Sequence, residues 1–172
     1  MLFRSIHFGH LNLANCLVDY LQVESVRMIP CAIPPHRETP SVSAEQRLAM
    51  LQLAIDDHPL LTSDDLELRK STPSYSIETV QQIRQQVGEE TPLFFCIGMD
   101  SLLTIDSWHH WQQLLDYCHL AICPRPGYKL PIKGHLAEWI EQNLCDDIDR
   151  IKTLAQGCLH LCKIPLKDIS ST

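Results

Sequence analysis

The feature that most constrains the fold is a set of strands that are apolar along nearly their whole length. They are PLFFCIG (92–98), HLAIC (119–123) and SVRMIPCAI (25–33). A strand with one solvent-facing side alternates apolar and polar residues, whereas a strand buried on both faces is continuously apolar. Segments with helical spacing lie between these strands. The alternation predicts an α/β protein with a doubly wound parallel sheet and helices on both faces.

Several helices can be placed from their own patterns. Apolar residues recur at helical spacing from His10 to about Val23. Ser43 and Gln46 form a capping box at the start of a second helix. A third helix is expected to begin at Ser76 and end at glycine 88. Weaker patterns predict an extended segment, two partly helical segments and a last strand, over 61–70, 100–118, 135–144 and 157–165 respectively.

Length and charge limit the function classes. The 172 residues suit one domain spanning 1–172. With 14 basic and 21 acidic residues the net charge is −7, which argues against nucleic acid or an anionic membrane as partner. No transmembrane-length apolar run and no signal peptide are present, so we expect a cytoplasmic protein, of undetermined oligomeric state.

The eight cysteines lie mostly in apolar segments and are expected to be buried free thiols. A zinc site built from Cys158, His160 and Cys162 is the alternative. It is disfavoured because the chain has no CxxC pair, and we predict no bound metal ligated by the protein.

In parallel sheets ligands bind at the carboxyl ends of the strands, so the turns that follow them are the places to search. The first turn is IHFGH, in which His7 and His10 flank Gly9 at the start of a helix. A helix N-terminus binds phosphate, and imidazoles there could stabilise charge that develops in a transition state. The alternative is a pair of structural histidines.

Later turns carry further polar residues. Asp100, after Gly98, suits a ribose hydroxyl pair, or it could cap a helix. Arg125 at a strand end could hold phosphate or a base. Trp108 could stack on a ligand ring, whereas Trp111 is expected in the core. His36 and Arg37 add two cations on a proline-stiffened loop, and Ser170 and Ser171 add hydroxyls at a helix-start pattern.

Taken in order, these turns resemble the bacterial nicotinate-nucleotide adenylyltransferases over essentially the whole chain. The matching stretches are IHFGHL, IPPHR, QRLAMLQLAI, TPSYSIETV, FCIGMDSLLTIDSW, HLAICPRPGY and ISST. The first stretch alone marks only the wider HxGH nucleotidyltransferase superfamily, which includes pantetheine-phosphate adenylyltransferases. PPHR, PSYSIETV, IGMDSL with its following Trp, and RPGY are more specific.

The resemblance implies a Rossmann-like fold and transfer of the adenylyl group of ATP to nicotinate mononucleotide. The products would be nicotinate adenine dinucleotide and pyrophosphate, a step in NAD biosynthesis, with Mg²⁺ accompanying ATP. His7 and His10 would be catalytic. The implied ATP-binding residues are His7, Gly9, His10, Gly98, Asp100, Arg125, Ser170 and Ser171. The implied residues for nicotinate mononucleotide are His36, Arg37, Tyr75, Ser76 and Trp108.

The chain departs from the family pattern at both ends. The pattern has GGTFDPxHxGH after a short strand, whereas only MLFRS precedes IHFGH here. Either Phe3 matches the family Phe, so that the Gly-Gly-Thr turn and the first strand are absent, or MLF is the end of the strand and the turn is deleted. The family also continues past ISST into a helix with an Arg. We therefore expect a domain without the glycine turn and C-terminal helices, with weak or no activity.

The same residues fit two other functions. A related HxGH nucleotidyltransferase could act on another phosphate acceptor, such as phosphopantetheine or nicotinamide mononucleotide. A non-catalytic nucleotide-binding protein could retain the motif as a relic. Conversion of the substrates separates the enzymes from the relic, and the choice of acceptor separates the two enzymes.

Overall fold

The structure is a computed structural model that describes residues 2–3, 6–31, 42–70 and 74–165; of residues 2 and 3 it describes the backbone alone. Contacts within the chain separate two compact units, which divide between Ser74 and Tyr75. Each unit is an α/β structure in its own right. The sequence-based expectation of one domain over 1–172 stays a prediction.

The first unit contains a three-stranded parallel sheet in the order β1-β2-β3. Its elements are β1 (Leu2–Phe3), α1 (Phe8–Leu21), β2 (Val26–Pro30), α2 (Ala44–Ile55) and β3 (Leu61–Ser63). Leu2 pairs with Ile29, and Val26 pairs with Leu61. Each parallel pair is joined through a helix, as parallel strands require.

The two helices of this unit follow their sequence patterns closely. The buried face of α1 is formed by residues at helical spacing, which are Leu11, Ala14, Leu17, Val18 and Leu21. The helix begins at Phe8 instead of the predicted His10, because His7 caps it. The predicted capping box of α2 is confirmed: the Ser43 hydroxyl accepts from the Gln46 backbone N–H, and the Gln46 side chain accepts from the Ser43 N–H.

The predicted extended segment 61–70 is a strand only over its first part. After β3 the Asp64 carboxylate accepts a hydrogen bond from the Leu66 backbone N–H at 2.8 Å. This Asx-type turn competes with strand pairing and ends the extended conformation.

The second unit has the same plan, with parallel strands in the order β4-β5-β6. Its elements are α3 (Ser76–Val87), β4 (Phe94–Gly98), α4 (Met99–Leu102), two 3₁₀ turns (Ile105–Ser107 and Trp111–Asp116), β5 (His119–Cys123), α5 (His135–Asn143), α6 (Ile148–Ile151) and β6 (Leu159–Leu161). The predicted helix after β4 is thus broken into one short helix and 3₁₀ turns. All five residues of β5 are buried, as its composition predicts.

A buried arginine ties together three segments of this unit. The Arg84 guanidinium donates to the backbone carbonyls of Gly88, Thr91, Tyr117 and Ala155 at 2.7 to 2.9 Å. Burial lowers the pKa of Arg84. Because these four carbonyl oxygens belong to the segments that precede β4, β5 and β6, the side chain holds these segments together as a clamp.

Within each unit the strands lie side by side in chain order, as they do in a βαβαβ unit of a doubly wound fold. The prediction of an α/β fold with parallel strands is confirmed. Within the described ranges, no helix is long and apolar enough to cross a membrane.

The thiol prediction is confirmed in part. All eight cysteines are free, but only Cys96, Cys118, Cys123 and Cys162 are fully buried. Burial raises the pKa of Cys96 to about 12. At the alternative zinc position, His160 Nδ1 lies 2.7 Å from the Cys145 carbonyl oxygen. The described part of the chain contains no cluster of three or more His, Cys, Asp or Glu residues that could hold a metal.

Candidate active site

The histidine turn of the first unit lies between the carboxyl end of β1 and the start of α1. His7 is the N-cap of α1 and has an extended backbone. Its Nδ1 accepts a hydrogen bond from the Gly9 backbone N–H at 3.1 Å. The His10 N–H donates to the His7 carbonyl oxygen at 2.9 Å, which closes the first helical turn.

The capping bond determines which ring nitrogen of His7 carries the proton. Because Nδ1 accepts from Gly9, neutral His7 holds its proton on Nε2, which is then a donor. The His7 and His10 rings lie against each other in a tilted arrangement, with centroids 3.7 Å apart and planes inclined by 31°. The structure therefore brings the two predicted catalytic histidines together at a helix N-terminus, where the helix dipole favours an anion.

A strand precedes this turn. The backbone of Leu2–Phe3 pairs in parallel with Ile29 and Pro30. The alternative in which the first strand is missing disagrees with this pairing, because Leu2 and Phe3 occupy a strand position. The alternative in which MLF is the end of the strand agrees with this pairing.

The second cluster of predicted residues follows β4 and β5. Gly98 and Cys123 are partners in the parallel register. Asp100 and Arg125 each lie two residues beyond these partners. The segments that carry them therefore leave the sheet at the same level. The Arg125 guanidinium meets Asp100 Oδ2 at 2.8 Å.

Asp100 does not cap a helix, contrary to the alternative considered for it. The N-cap of α4 is Gly98, and no side chain bonds to the cap. The Asp100 carboxylate turns back over Gly98 so closely that a Cβ on this glycine would overlap Oδ1. The backbone of Gly98 has φ −76°, so the glycine is required here for close approach and not for an unusual dihedral angle. Within the described residues, Asp100 Oδ1 is buried and has no hydrogen-bond partner.

The two tryptophans near this cluster differ in their surroundings. Trp108 follows the first 3₁₀ turn and is half-buried. Trp111 packs edge-on against Trp139 of α5, with ring centroids 4.6 Å apart. Trp111 is half-buried, so its predicted core position is only partly correct.

Tyr75 lies just before α3, and Ser76 is the first residue of that helix. The Tyr75 ring lies 4.6 Å from the His109 ring, which in turn lies 3.9 Å from the His110 ring. His110 has a left-handed backbone, with φ 49°. His109 and His110 were not predicted as site residues, although a doublet of histidines between Trp108 and Trp111 is an unusual local pattern.

Four predicted site residues, His36, Arg37, Ser170 and Ser171, lie outside the described residues. The remaining ones are divided between the units. His7, Gly9 and His10 belong to the first unit; Tyr75, Ser76, Gly98, Asp100, Trp108 and Arg125 belong to the second.

Comparisons with known proteins agree with these motifs. The Cytidylyltransferase-like family matches residues 2–172. A nicotinate-nucleotide adenylyltransferase of Yersinia pestis (strain Pestoides F) is 40% identical over 171 residues, which is 99% of this chain and 78% of the relative. The chain belongs to the nicotinate-nucleotide adenylyltransferase family. The corresponding adenylyltransferase of Serratia proteamaculans (strain 568) is 43% identical over the same shares of the two chains.

Solved structures share the fold of this chain. The nicotinic acid mononucleotide adenylyltransferase of Plasmodium falciparum complexed with APC superposes with a TM-score of 0.66 and 16% identity. The superposition covers 96% of this chain and 72% of the other. The same Plasmodium enzyme complexed with NaAD also gives a TM-score of 0.66, at 14% identity. At these identities the likeness establishes the fold alone, and the predicted Rossmann-like fold is confirmed.

Proposed function

We propose that this protein transfers the adenylyl group of ATP to nicotinate mononucleotide. The observation that carries the proposal is 40–43% identity to nicotinate-nucleotide adenylyltransferases over 99% of the chain. The paired histidines at the N-terminus of α1 support it from the geometry, because a turn of this kind suits phosphate groups.

The reaction needs no strong base and no covalent nucleophile. A phosphate oxygen of nicotinate mononucleotide attacks the α-phosphorus of ATP and forms a new P–O bond. The bond from the α-phosphorus to the bridging oxygen of the β-phosphate breaks, and pyrophosphate leaves with that electron pair. The products are nicotinate adenine dinucleotide and pyrophosphate. Catalysis therefore consists of aligning two anions and neutralising the charge that develops on the phosphates.

The proposed phosphate-handling residues are His7, Gly9 and His10. His7 would offer its Nε2–H to a phosphate oxygen, since its Nδ1 already accepts from the backbone of Gly9. Stacked against it, His10 would be the stabiliser of charge in the transition state. The dipole of α1 adds to the attraction for the triphosphate.

The proposed adenosine side of the site is at the carboxyl ends of β4 and β5. Asp100 would accept from a ribose hydroxyl, and Gly98 gives its carboxylate room to lie over the backbone. Arg125 would lie near the nucleotide, with Ser170 and Ser171 as further ATP-binding residues.

The proposed residues for nicotinate mononucleotide are His36, Arg37, Tyr75, Ser76 and Trp108. Tyr75 and Ser76 are adjacent at the start of α3, where backbone N–H groups favour an anion. The half-buried indole of Trp108 offers a face on which the nicotinate ring could stack.

Mg²⁺ would enter with ATP. It keeps water and substrate phosphate oxygens as ligands in most nucleotide sites, so it does not need a protein cage. Bound in this way, it would neutralise part of the charge on the triphosphate. We assign no protein residue to the ion.

We propose small molecules as the partners of this protein and the cytoplasm as its location. Eight free cysteines, four of them only half-buried, favour a reducing compartment. The acidic net charge of −7 disfavours nucleic acid as a partner.

The test is an assay of the purified chain with MgATP and nicotinate mononucleotide. We expect nicotinate adenine dinucleotide and pyrophosphate in equal amounts. Nicotinamide mononucleotide and phosphopantetheine serve as competing acceptors, and faster conversion of either would refute the proposed acceptor. If calorimetry shows binding of nicotinate mononucleotide but no conversion occurs, the result would instead support a non-catalytic nucleotide-binding protein that retains the motif as a relic. The rate also tests the expectation of weak activity, which a turnover comparable with that of a relative containing the Gly-Gly-Thr turn would refute.

A further inference from the structure

We infer that Arg125 is a positioning residue that acts through Asp100, and that it does not hold the triphosphate directly. The inference rests on the proposed function, because it concerns how the ribose of ATP is recognised. Three observations in the second unit carry it: the ion pair, the clearance over Gly98, and the unequal surroundings of the two carboxylate oxygens of Asp100.

The ion pair occupies only one oxygen of the carboxylate. Arg125 meets Oδ2 at 2.8 Å through a single guanidinium nitrogen. Oδ1 points back over Gly98, is buried, and has no partner among the described residues. A buried acceptor without a partner is costly, and a ribose hydroxyl is a donor of the right kind to satisfy it. The two oxygens therefore differ in role: Oδ2 accepts from the arginine, and Oδ1 is available to the ligand.

Stability does not explain the pair. The Arg125 side chain is 58% exposed, and that of Asp100 is 24% exposed. An ion pair with one partner so exposed contributes little to folding, because water screens it and both side chains lose rotamer freedom. What the pair does provide is a defined rotation of the carboxylate, and recognition by a single oxygen depends on that rotation.

The register of the sheet brings the two residues side by side. Gly98 and Cys123 are paired, and each of the two interacting residues lies two positions further along the chain. Asp100 belongs to the short helix α4, and Arg125 lies in the segment that follows β5. Both side chains thus start only two residues beyond the last paired positions of β4 and β5, which fixes where each of them leaves the sheet.

The experiment compares the binding of MgATP with that of the magnesium complex of 2′,3′-dideoxyadenosine triphosphate, by calorimetry and without nicotinate mononucleotide. We expect the unmodified chain to prefer ATP by about tenfold or more, the usual value of a hydrogen bond to a charged group. In Arg125→Gln, ATP should bind about as weakly as the dideoxy compound, whose own affinity should not change. Arg125→Lys should keep part of the preference, because a long side chain with a positive charge can still reach and donate to Oδ2, whereas glutamine is shorter and neutral.

Two further variants sharpen the test. Gly98→Ala displaces the carboxylate through its new Cβ and should lose the same preference with Arg125 intact. Arg69→Gln removes another exposed arginine from an aspartate pair, that with Asp65, and should keep the full preference.

The inference is overturned if Arg125→Gln weakens both nucleotides equally, as a direct phosphate ligand would, or if the unmodified chain does not distinguish them. Formation of nicotinate adenine dinucleotide is measured separately on the same preparations. A chain that distinguishes the two sugars but forms no product would refute the proposed function and leave this inference standing. A chain that binds neither nucleotide would overturn both.

Discussion

The two polar turns of this protein hold their side chains in position by different interactions. In the first unit, His7 caps the helix that it precedes, and its ring stacks on that of His10. In the second unit, Asp100 is held by Arg125 across two neighbouring strand ends. Both turns follow parallel strands, where ligands bind in such sheets.

The difference shows that the charge of the side chains in each turn suits the group that the turn is proposed to bind. A neutral imidazole can donate a hydrogen bond to an anion without itself carrying a permanent positive charge. This property suits phosphates, whose charge changes during the reaction. A carboxylate is a strong acceptor, which suits a neutral sugar hydroxyl whose charge does not change. We expect variants in the histidine turn to affect turnover and variants in the aspartate turn to affect binding.

The largest expected effect that separates the two turns is that of His10→Ala. Removing the donor that stabilises the transition state should lower kcat by about 100- to 1000-fold while the KM for ATP changes little. Steady-state assays that vary ATP at a saturating concentration of nicotinate mononucleotide measure both constants. His135→Ala is the matched control, since this histidine is exposed, pairs with Asp106 and is not among the proposed site residues, and it should keep the original kcat. Near-normal turnover of His10→Ala would refute the role of His10.

The second effect concerns the buried arginine of the second unit, at the amino ends of the strands whose carboxyl ends carry the aspartate turn. Arg84→Met leaves four backbone carbonyls without their charged donor, which should lower the free energy of unfolding by about 3 kcal/mol. The chain has 3 tryptophans, at 108, 111 and 139, and all belong to the second unit. Urea unfolding followed by tryptophan fluorescence therefore reports on this unit alone.

The control for Arg84→Met is Arg69→Met, which breaks an exposed pair in the first unit and should leave the tryptophan transition in place. An unchanged urea midpoint for Arg84→Met would contradict the clamp.

The third effect is a pH dependence confined to the second unit. Buried His119 accepts from the Cys158 N–H through Nδ1, so its Nε2–H donates to the Leu154 carbonyl, and burial lowers its pKa from 6.5. Below about pH 6.5 the unfolded chain binds a proton that the folded chain resists, so stability falls until the pH reaches the lower folded pKa. The free energy of unfolding falls by about 1.4 kcal/mol for each unit by which the pKa of His119 is lowered in the folded chain.

The measurement for His119 is again the urea midpoint by tryptophan fluorescence, taken across this pH range. His119→Gln keeps a donor and an acceptor but does not titrate. The variant should be less stable at neutral pH and should show a weaker decline towards acid. A decline as steep as that of the unmodified chain would assign the pH dependence to another group.

The smallest effect separates the two roles of His7. His7→Asn keeps a side chain that caps helices, whereas His7→Ala does not, so the alanine variant should destabilise α1 by about 1 kcal/mol more. Hydrogen exchange of the α1 amides measures this difference. Both variants should lose turnover, because both lack the imidazole. If His7→Asn kept full turnover, His7 would be a cap and nothing more.

The sequence predicted those features that depend on local pattern. The capping box of Ser43 and Gln46 follows from two residue types at a fixed spacing, and continuous apolar composition identified β4 and β5. The order of the turns was enough to predict the family and to select Asp100 and Arg125 as neighbours of one ligand. Their direct pairing depends on the register of β4 on β5, which the sequence does not encode in a readable form.

What could not be predicted depends on contacts between distant positions. Arg84 bonds to the carbonyl of Ala155, 71 residues away, and a backbone carbonyl has no residue-type signature. The contact of Tyr75 with His109 similarly joins the start of α3 to a turn after β4. The start of α1 was placed too late because histidine is not among the usual N-cap residues.

The pairing of Gly98 with Cys123 has a consequence for how this protein acquires its function. A slip of one residue between β4 and β5 would move Asp100 by about 3.3 Å relative to Arg125, enough to separate the carboxylate from the guanidinium. Sugar recognition then depends on correct folding, because only a chain with the correct register of β4 and β5 can distinguish a ribose from its dideoxy form.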